Sequence, residues 1–460
     1  MKKLLLSAIT LVACGTASAQ VWQTYDDGLD SLAGIRYMDV VDTNTVWAIG
    51  YDGNVPARTY VNFTKTSDGV NFTTGAFLPD TLTHVPSNIV GVNDTIAYIS
   101  AYSKTGTTNG RILQTTDGGL TWNDAADSLM FNGPANFPNV VHFFDAQNGW
   151  TMGDPNNTMG WGNEYEIWRT NDGAVTWTRV PAANIPAPTS GEYGLTDVYT
   201  TYGSNHIWFG TNKSRVFRSV DGGLTWNVSG VISGMAAGVS GLAFRDSLNG
   251  LCWGLTAATN GVFTLRRTID GGATWTTVAV NQTDVGRFDL CAIPGSYAYM
   301  SVGINLGSSA YVTSVTEDDG GTWTVLESDV LPSARMIEVE MVDSLNGWAG
   351  NFRDPGLAIG GMNRYVGPKI MSVRPVAELN SDMVYPNPSN GIMNVRIGKA
   401  KAGTTISVVD LLGKEVYSST LNASGLNVEF PLNISGVEKG IYLVKIADGN
   451  SLQVSKIIVN

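Results

Sequence analysis

The sequence predicts an all-β chain, a seven-bladed β-propeller followed by a small C-terminal β-sandwich. The first observation is a phrase, Thr115 to Trp122 (TTDGGLTW), that returns ending at Trp177, Trp226, Trp275 and Trp323. A decayed copy, TSDGVNF, ends at Phe72, and Trp22 lies one period upstream. The closing aromatics are therefore 50, 50, 55, 49, 49 and 48 residues apart, a period that marks repeated supersecondary units. The second observation is that every unit repeats one order of four short strands. The third is a composition shift: all 13 Trp fall between residues 22 and 348, and the chain beyond them is a different unit.

The phrase suits a tight turn between the third and fourth strands. The carboxylates of Asp117, Asp172, Asp221, Asp270 and Asp318 can accept backbone N–H groups across the turn, and a following Gly takes positive φ without steric cost. Trp122, Trp177, Trp226, Trp275 and Trp323 then open the outgoing strand and offer a large face to a neighbouring unit. On these residues the chain resembles the Asp-box (BNR-type) repeat propellers of sialidases, sortilin-like receptors and photosystem II assembly-factor-like proteins. The copy at Asp68 is out of register, and Ala174 replaces the Gly of the third box.

Ahead of each box, an apolar first strand (VVHFF, DVYTTY, SGLAF, IEVEMV) leads into a polar turn, with Asn-Gly at 148–149, 249–250 and 346–347. Asn-Gly between apolar runs is a strong hairpin signal. The second strand is aromatic and ends in Gly (VWAIG, GWTMG, IWFG, LCWG, GWAG). The third strand (RILQT, EIWRT, VFRSV, TLRRT) runs into the box. Residues 20 to 367 number 348, close to seven periods of 49. The last unit, from Met336, lacks a box and a closing Trp. Val21 to Thr24 is therefore expected to supply its outer strand and close the ring, which protects sheet edges.

Residues 368–381 read as a linker and 382–460 as short strands separated by Gly, Asn and Asp turns. Tyr385-Pro386-Asn387-Pro388, Gly413-Lys414 within DLLGK, Gly440 and Tyr442 within GIYLVK, and Lys456 of KIIV resemble the type A C-terminal sorting domain of type IX secretion cargo. The resemblance implies a Bacteroidota protein whose partner is the type IX machinery, with the product released or attached at the cell surface. Residues 1–19 read as a signal peptide: Lys2 and Lys3, an apolar run from Leu4 to Ala13, then Ala17-Ser18-Ala19 before Gln20. The run is too short to span a bilayer. Leu11 to Cys14 also reads as a lipobox, which would anchor the chain at Cys14.

The formal net charge of −12 and pI near 4.7 disfavour nucleic acid and anionic lipid. The three His are scattered, no metal or cofactor motif occurs, and Cys252 and Cys291 lie in apolar strands as expected of buried free thiols. One box Asp per unit is a structural repeat, so no catalytic residue is assigned to the boxes. Trp161 has no repeat position. It lies in the longest excursion of the third unit, beside Asp154, Glu164 and Tyr165, and the next inter-unit loop adds Glu192 and Tyr193. These six residues are the candidate ligand site for a glycan, peptide or protein. A two-carboxylate hydrolase built on Asp154, Glu164 or Glu192 is the alternative. The Arg-Ile-Pro motif of sialidases is absent, and Arg58, Arg287, Arg335 and Arg353 are loop arginines that the sequence does not assemble.

Overall fold

The computed structural model describes residues 20–460 except 31–32, 53–58, 79–82, 107–108, 133–136, 156–162, 258–260, 330–334, 353–360, 371–376, 379–383, 401, 412, 423 and 448–451. The proposed signal peptide, Cys14, Trp161, Arg58 and Arg353 lie outside the described residues. The chain divides into two units, Met1–Ser372 and Val373–Asn460.

Among the described residues of the first unit the strands form seven antiparallel four-stranded sheets, each ordered as in sequence from first to fourth strand, except at the closing blade. The first strands are Ala33–Val40, His84–Gly91, Pro138–Phe143, Gly194–Tyr202, Gly241–Phe244, Asp289–Ala292 and Met336–Met341, and they number the blades. Each touches the first strand on either side, blade 7 against blade 1 included, so they ring a common axis. The closing blade takes Trp22–Tyr25 as its fourth strand, antiparallel to Met362–Tyr365 with Trp22 opposite Tyr365. Trp22 is buried, its indole N–H donates to Thr313 Oγ1 of blade 6 at 2.8 Å, and its ring meets Tyr365 edge-on.

The five full box turns share one geometry. In each, the Asp Oδ1 accepts the N–H of the Thr four residues on at 2.8–2.9 Å. The other carboxylate oxygen accepts that Thr hydroxyl at 2.6–2.8 Å. The decayed copy closes too, because Asn71 stands in for the Thr and donates both its backbone and side-chain N–H to Asp68. The third box keeps the same turn with Ala174 at φ 68°, a left-handed conformation that opposes an L side chain.

The boxes also join blades. The strand-2 Trp of one blade packs on the closing aromatic of the next: Trp47 on Trp122, Trp150 on Trp226, and Trp348 of blade 7 on Phe72 of blade 1. Third-strand donors reach the next blade's box carbonyls: Gln114 to Gly173, Arg218 to Asp270, and Arg364 to Gly69 across the closure.

The second unit packs a five-stranded sheet and a three-stranded sheet, with a core that includes Val395, Ile406, Val408, Leu432, Val444 and Ile457. Its motifs have structural work. Asn387 donates to the Lys456 carbonyl and accepts the Ile458 N–H, tying the first motif to the last strand. Gly413 takes φ 87° in a turn where Asp410 accepts the Lys414 N–H. Gly440 opens the strand that carries Tyr442, whose hydroxyl donates to the Glu438 carbonyl.

Two outcomes check this architecture. Trp22→Ala, which empties a buried indole site, should cost about 3–5 kcal/mol in denaturant unfolding; a change within error would refute closure by the N-terminal strand. Ala174→Gly should gain about 0.5–1 kcal/mol by removing the left-handed strain, and a loss would show that the methyl packs usefully.

Candidate functional site

The box carboxylates are committed to their turns. Hydrogen bonds from the Thr121 hydroxyl and N–H hold Asp117 down to about 2, and Asp172 is depressed by the same contacts from Thr176. They sit at the ends of third strands, on one face of the ring. The starts of the first strands and the ends of the second strands lie on the opposite face.

On that opposite face the structure places the blade 3 and 4 candidates, but in roles other than an exposed platform. Asp154 accepts from Asn139 Nδ2 at 2.6 Å and from the Gly194 N–H at 2.9 Å, joining blades 3 and 4, and burial pushes its carboxyl up to about 7. Glu164 is buried and paired with Arg179 at 2.7 Å. Tyr165 is fully buried, its ring edge-on to the stacked pair Phe209 and Phe217 of blade 4. Glu192 is buried against Arg215 at 2.8 Å and also takes hydrogen bonds from Thr189 and Thr211. These residues are tied into the scaffold: Glu164 and Glu192 are buried with an arginine each, as a buried ionised carboxylate requires, and Asp154 is held by neutral donors. Tyr193 remains exposed.

What the structure brings together instead is a rim around the axis. Arg36, near the start of the first strand of blade 1, donates through Nε to the Tyr37 hydroxyl at 3.0 Å, its guanidinium 5.2 Å from the Tyr37 ring. Arg335 lies 5.7 Å from the Tyr311 ring, and Arg287 5.8 Å from the Phe288 ring. Phe288 in turn faces Tyr311, Tyr51 faces Phe352, and Tyr102 faces Phe137. Tyr51 of blade 1 lies within electrostatic reach of Arg36, of Glu338 in blade 7 and of Tyr311 in blade 6. Phe288 is 40% exposed, Tyr37 is buried, and the rings of Tyr51, Tyr102, Phe137, Tyr311 and Phe352 are half-buried. A guanidinium stacked on a ring presents its N–H groups at the edge of the stack, in the plane where acceptors are met.

Below the rim, the first strands turn five carboxyl groups toward one another. Burial, reinforced by neighbouring carboxylates, raises Asp197, Glu338 and Glu340 well above the carboxylate range. Burial alone pushes Asp39 up to about 7 and Asp289 to about 6. His142 is pushed down to about 4 by burial, beside the Tyr199 hydroxyl at 3.2 Å. The sequence signal was present in RYMDV, DVYTTY and IEVEMV, where charge interrupts otherwise apolar innermost strands. Among the described residues no group of three or more His, Cys, Asp or Glu is arranged to hold a metal ion. Cys252 and Cys291 are free.

Residues 383–460 match the family model described as "Secretion system C-terminal sorting domain". That segment is a type IX sorting domain, and it indicates secretion or display at the cell surface. No curated protein matches the chain significantly. Among solved structures, the chain is similar to "YCF48 bound to D1 peptide", with 15% identity and a TM-score of 0.52 over 76% of this chain and 96% of that one. It is also similar to YCF48 from Cyanidioschyzon merolae, with 15% identity and a TM-score of 0.51 over 75% and 99% of the two chains. An ancestral GH74 enzyme aligns with 95% of this chain and 63% of its own, at 11% identity and a TM-score of 0.51. At these identities the likeness shows the fold: the first unit is a β-propeller, carried on a chain with a secretion tail.

Proposed function

We propose that the chain is a secreted or surface-displayed binding module whose ligand docks on the rim formed by Arg36, Tyr51, Tyr311, Arg335 and Phe288. The observation that carries this reading is three arginines stacked on aromatic rings, gathered at one mouth of the axis on a protein of net charge −12. Accessible aromatic faces stack on sugar rings or peptide side chains, and guanidinium edges donate to carbonyl or carboxylate oxygens. A structurally similar propeller bound to a peptide supports a peptide ligand in this reading.

In this reading residues 1–19 direct Sec export from a Bacteroidota cell, or Cys14 is lipidated, and the sorting domain completes passage through the type IX machinery. Asp154, Glu164, Tyr165 and Glu192 serve as the support that holds the blade 3 and 4 face, with Tyr193 exposed beside them. The five box Asp and their Trp remain scaffold.

The test screens the chain from residue 20 to 460 on glycan and peptide arrays, with Tyr311→Ala, Arg335→Ala and Trp161→Ala alongside. Binding weakened at least about ten-fold by either rim substitution, a loss of about 1.4 kcal/mol or more, is expected. Binding lost only with Trp161→Ala would move the site to the blade 3 loop. Glycan fragments in the mass spectrum would replace the binding module with a hydrolase.

A further inference from the structure

The inner edge of each first strand has no neighbouring strand to pair with, yet three of these edges are capped across blade boundaries by carboxylates. Asp289 of blade 6 accepts the Val339 N–H of blade 7 at 2.8 Å, and Glu340 of blade 7 accepts the Val40 N–H of blade 1 at 2.8 Å. Asp39 of blade 1 accepts the Gly91 N–H of blade 2 at 2.7 Å. The lacing therefore runs through four consecutive blades. Asn88 of blade 2 continues it without charge, exchanging two hydrogen bonds with the Val141 backbone of blade 3.

Two further carboxylates face this lacing without capping a strand. Asp197, at φ 61° in the irregular first strand of blade 4, feels Asp289, Asp39 and Arg36 and is hydrogen-bonded by Asn88. Glu338 feels Asp289, Asp197, Arg36 and Glu340. The other titratable groups facing them are Tyr37, Tyr51, Tyr199, His142 and Cys291. Each is shifted in the direction that favours its neutral form, leaving Arg36 as the cation that acts on Asp197 and Glu338.

We propose that this axial cluster is a proton-operated lock: Asp39, Asp289 and Glu340 lace adjacent blades while protons are shared with Asp197 and Glu338, and full ionisation of the five drives the inner strands of blades 6, 7, 1 and 2 apart. The sign follows from the raised values. An unfolded carboxyl titrates near about 4, whereas burial pushes Asp289 up to about 6 and Asp39 up to about 7 in the fold, and burial with neighbouring carboxylates raises Asp197, Glu338 and Glu340 well above their ordinary range. Stability from these groups is full at low pH and is lost as pH rises through the folded values. His142 acts in the opposite sense, but only between about 4 and its ordinary 6.5, and the box carboxylates matter only below about 4.

The test is hydrogen–deuterium exchange of the chain from residue 20 to 460 at pH 6.5 and 8.0, corrected for intrinsic exchange, with thermal melts at both. Ala33–Val40, His84–Gly91 and Met336–Met341 should lose protection at the higher pH, and the melting temperature should fall by several degrees. Gly241–Phe244 of blade 5, which carries no acid, should keep its protection. Asp197→Asn combined with Glu338→Gln should remove most of the pH effect. Equal protection at both values, an equal loss in blade 5, or an undiminished effect in the double variant would overturn the lock. If the double variant does not fold, the blade 5 comparison in the unsubstituted chain decides alone.

Discussion

Everything in the propeller depends on how a sheet that ends at the axis disposes of its last edge. Seven first strands converge there, and each carries N–H and C=O groups that no further strand can pair. A buried donor left without an acceptor costs about 1–3 kcal/mol, so the edge must be capped from the neighbouring blade. Carboxylate and carboxamide side chains do this between blades 6, 7, 1, 2 and 3. The cost is a crowd of acids in a confined space, and their ionisation is what burial and mutual repulsion resist.

The same constraint explains the division of labour between the two faces. At the box face, each box Asp is consumed by its own turn, and long donors from the preceding blade bind the turn's carbonyls. That face is stitched shut. At the other face the strands begin and end without boxes, and arginine and aromatic side chains stay accessible around the mouth. Scaffold and site are thereby separated by the direction of the strands, since third strands run toward the boxes and first strands run away from the rim.

Much of this was legible in the sequence. The box period gave the repeat, and the missing last box, with Trp22 in phase, gave the closure by Trp22–Tyr25. Those signals are local, a turn with fixed chemistry and an aromatic at a fixed offset. The candidate site was read less well, because Glu164 and Glu192 look like solvated loop acids until Arg179 and Arg215, 15 and 23 residues on, are brought to them. The rim depends on residues as distant as Arg36 and Arg335, which only ring closure makes neighbours. The axial acids were visible as charges inside DVYTTY and IEVEMV, but an alternating pattern reads as one wet face unless the ring is already in hand.

Proton counting on unfolding tests the axial cluster most directly. Denaturing the chain in unbuffered guanidinium at pH 7 should release protons to the solution, because carboxyl groups held protonated at the axis ionise once the blades separate. No release, or net uptake, would mean that the five acids are already ionised in the fold and that something other than shared protons holds the inner strands together.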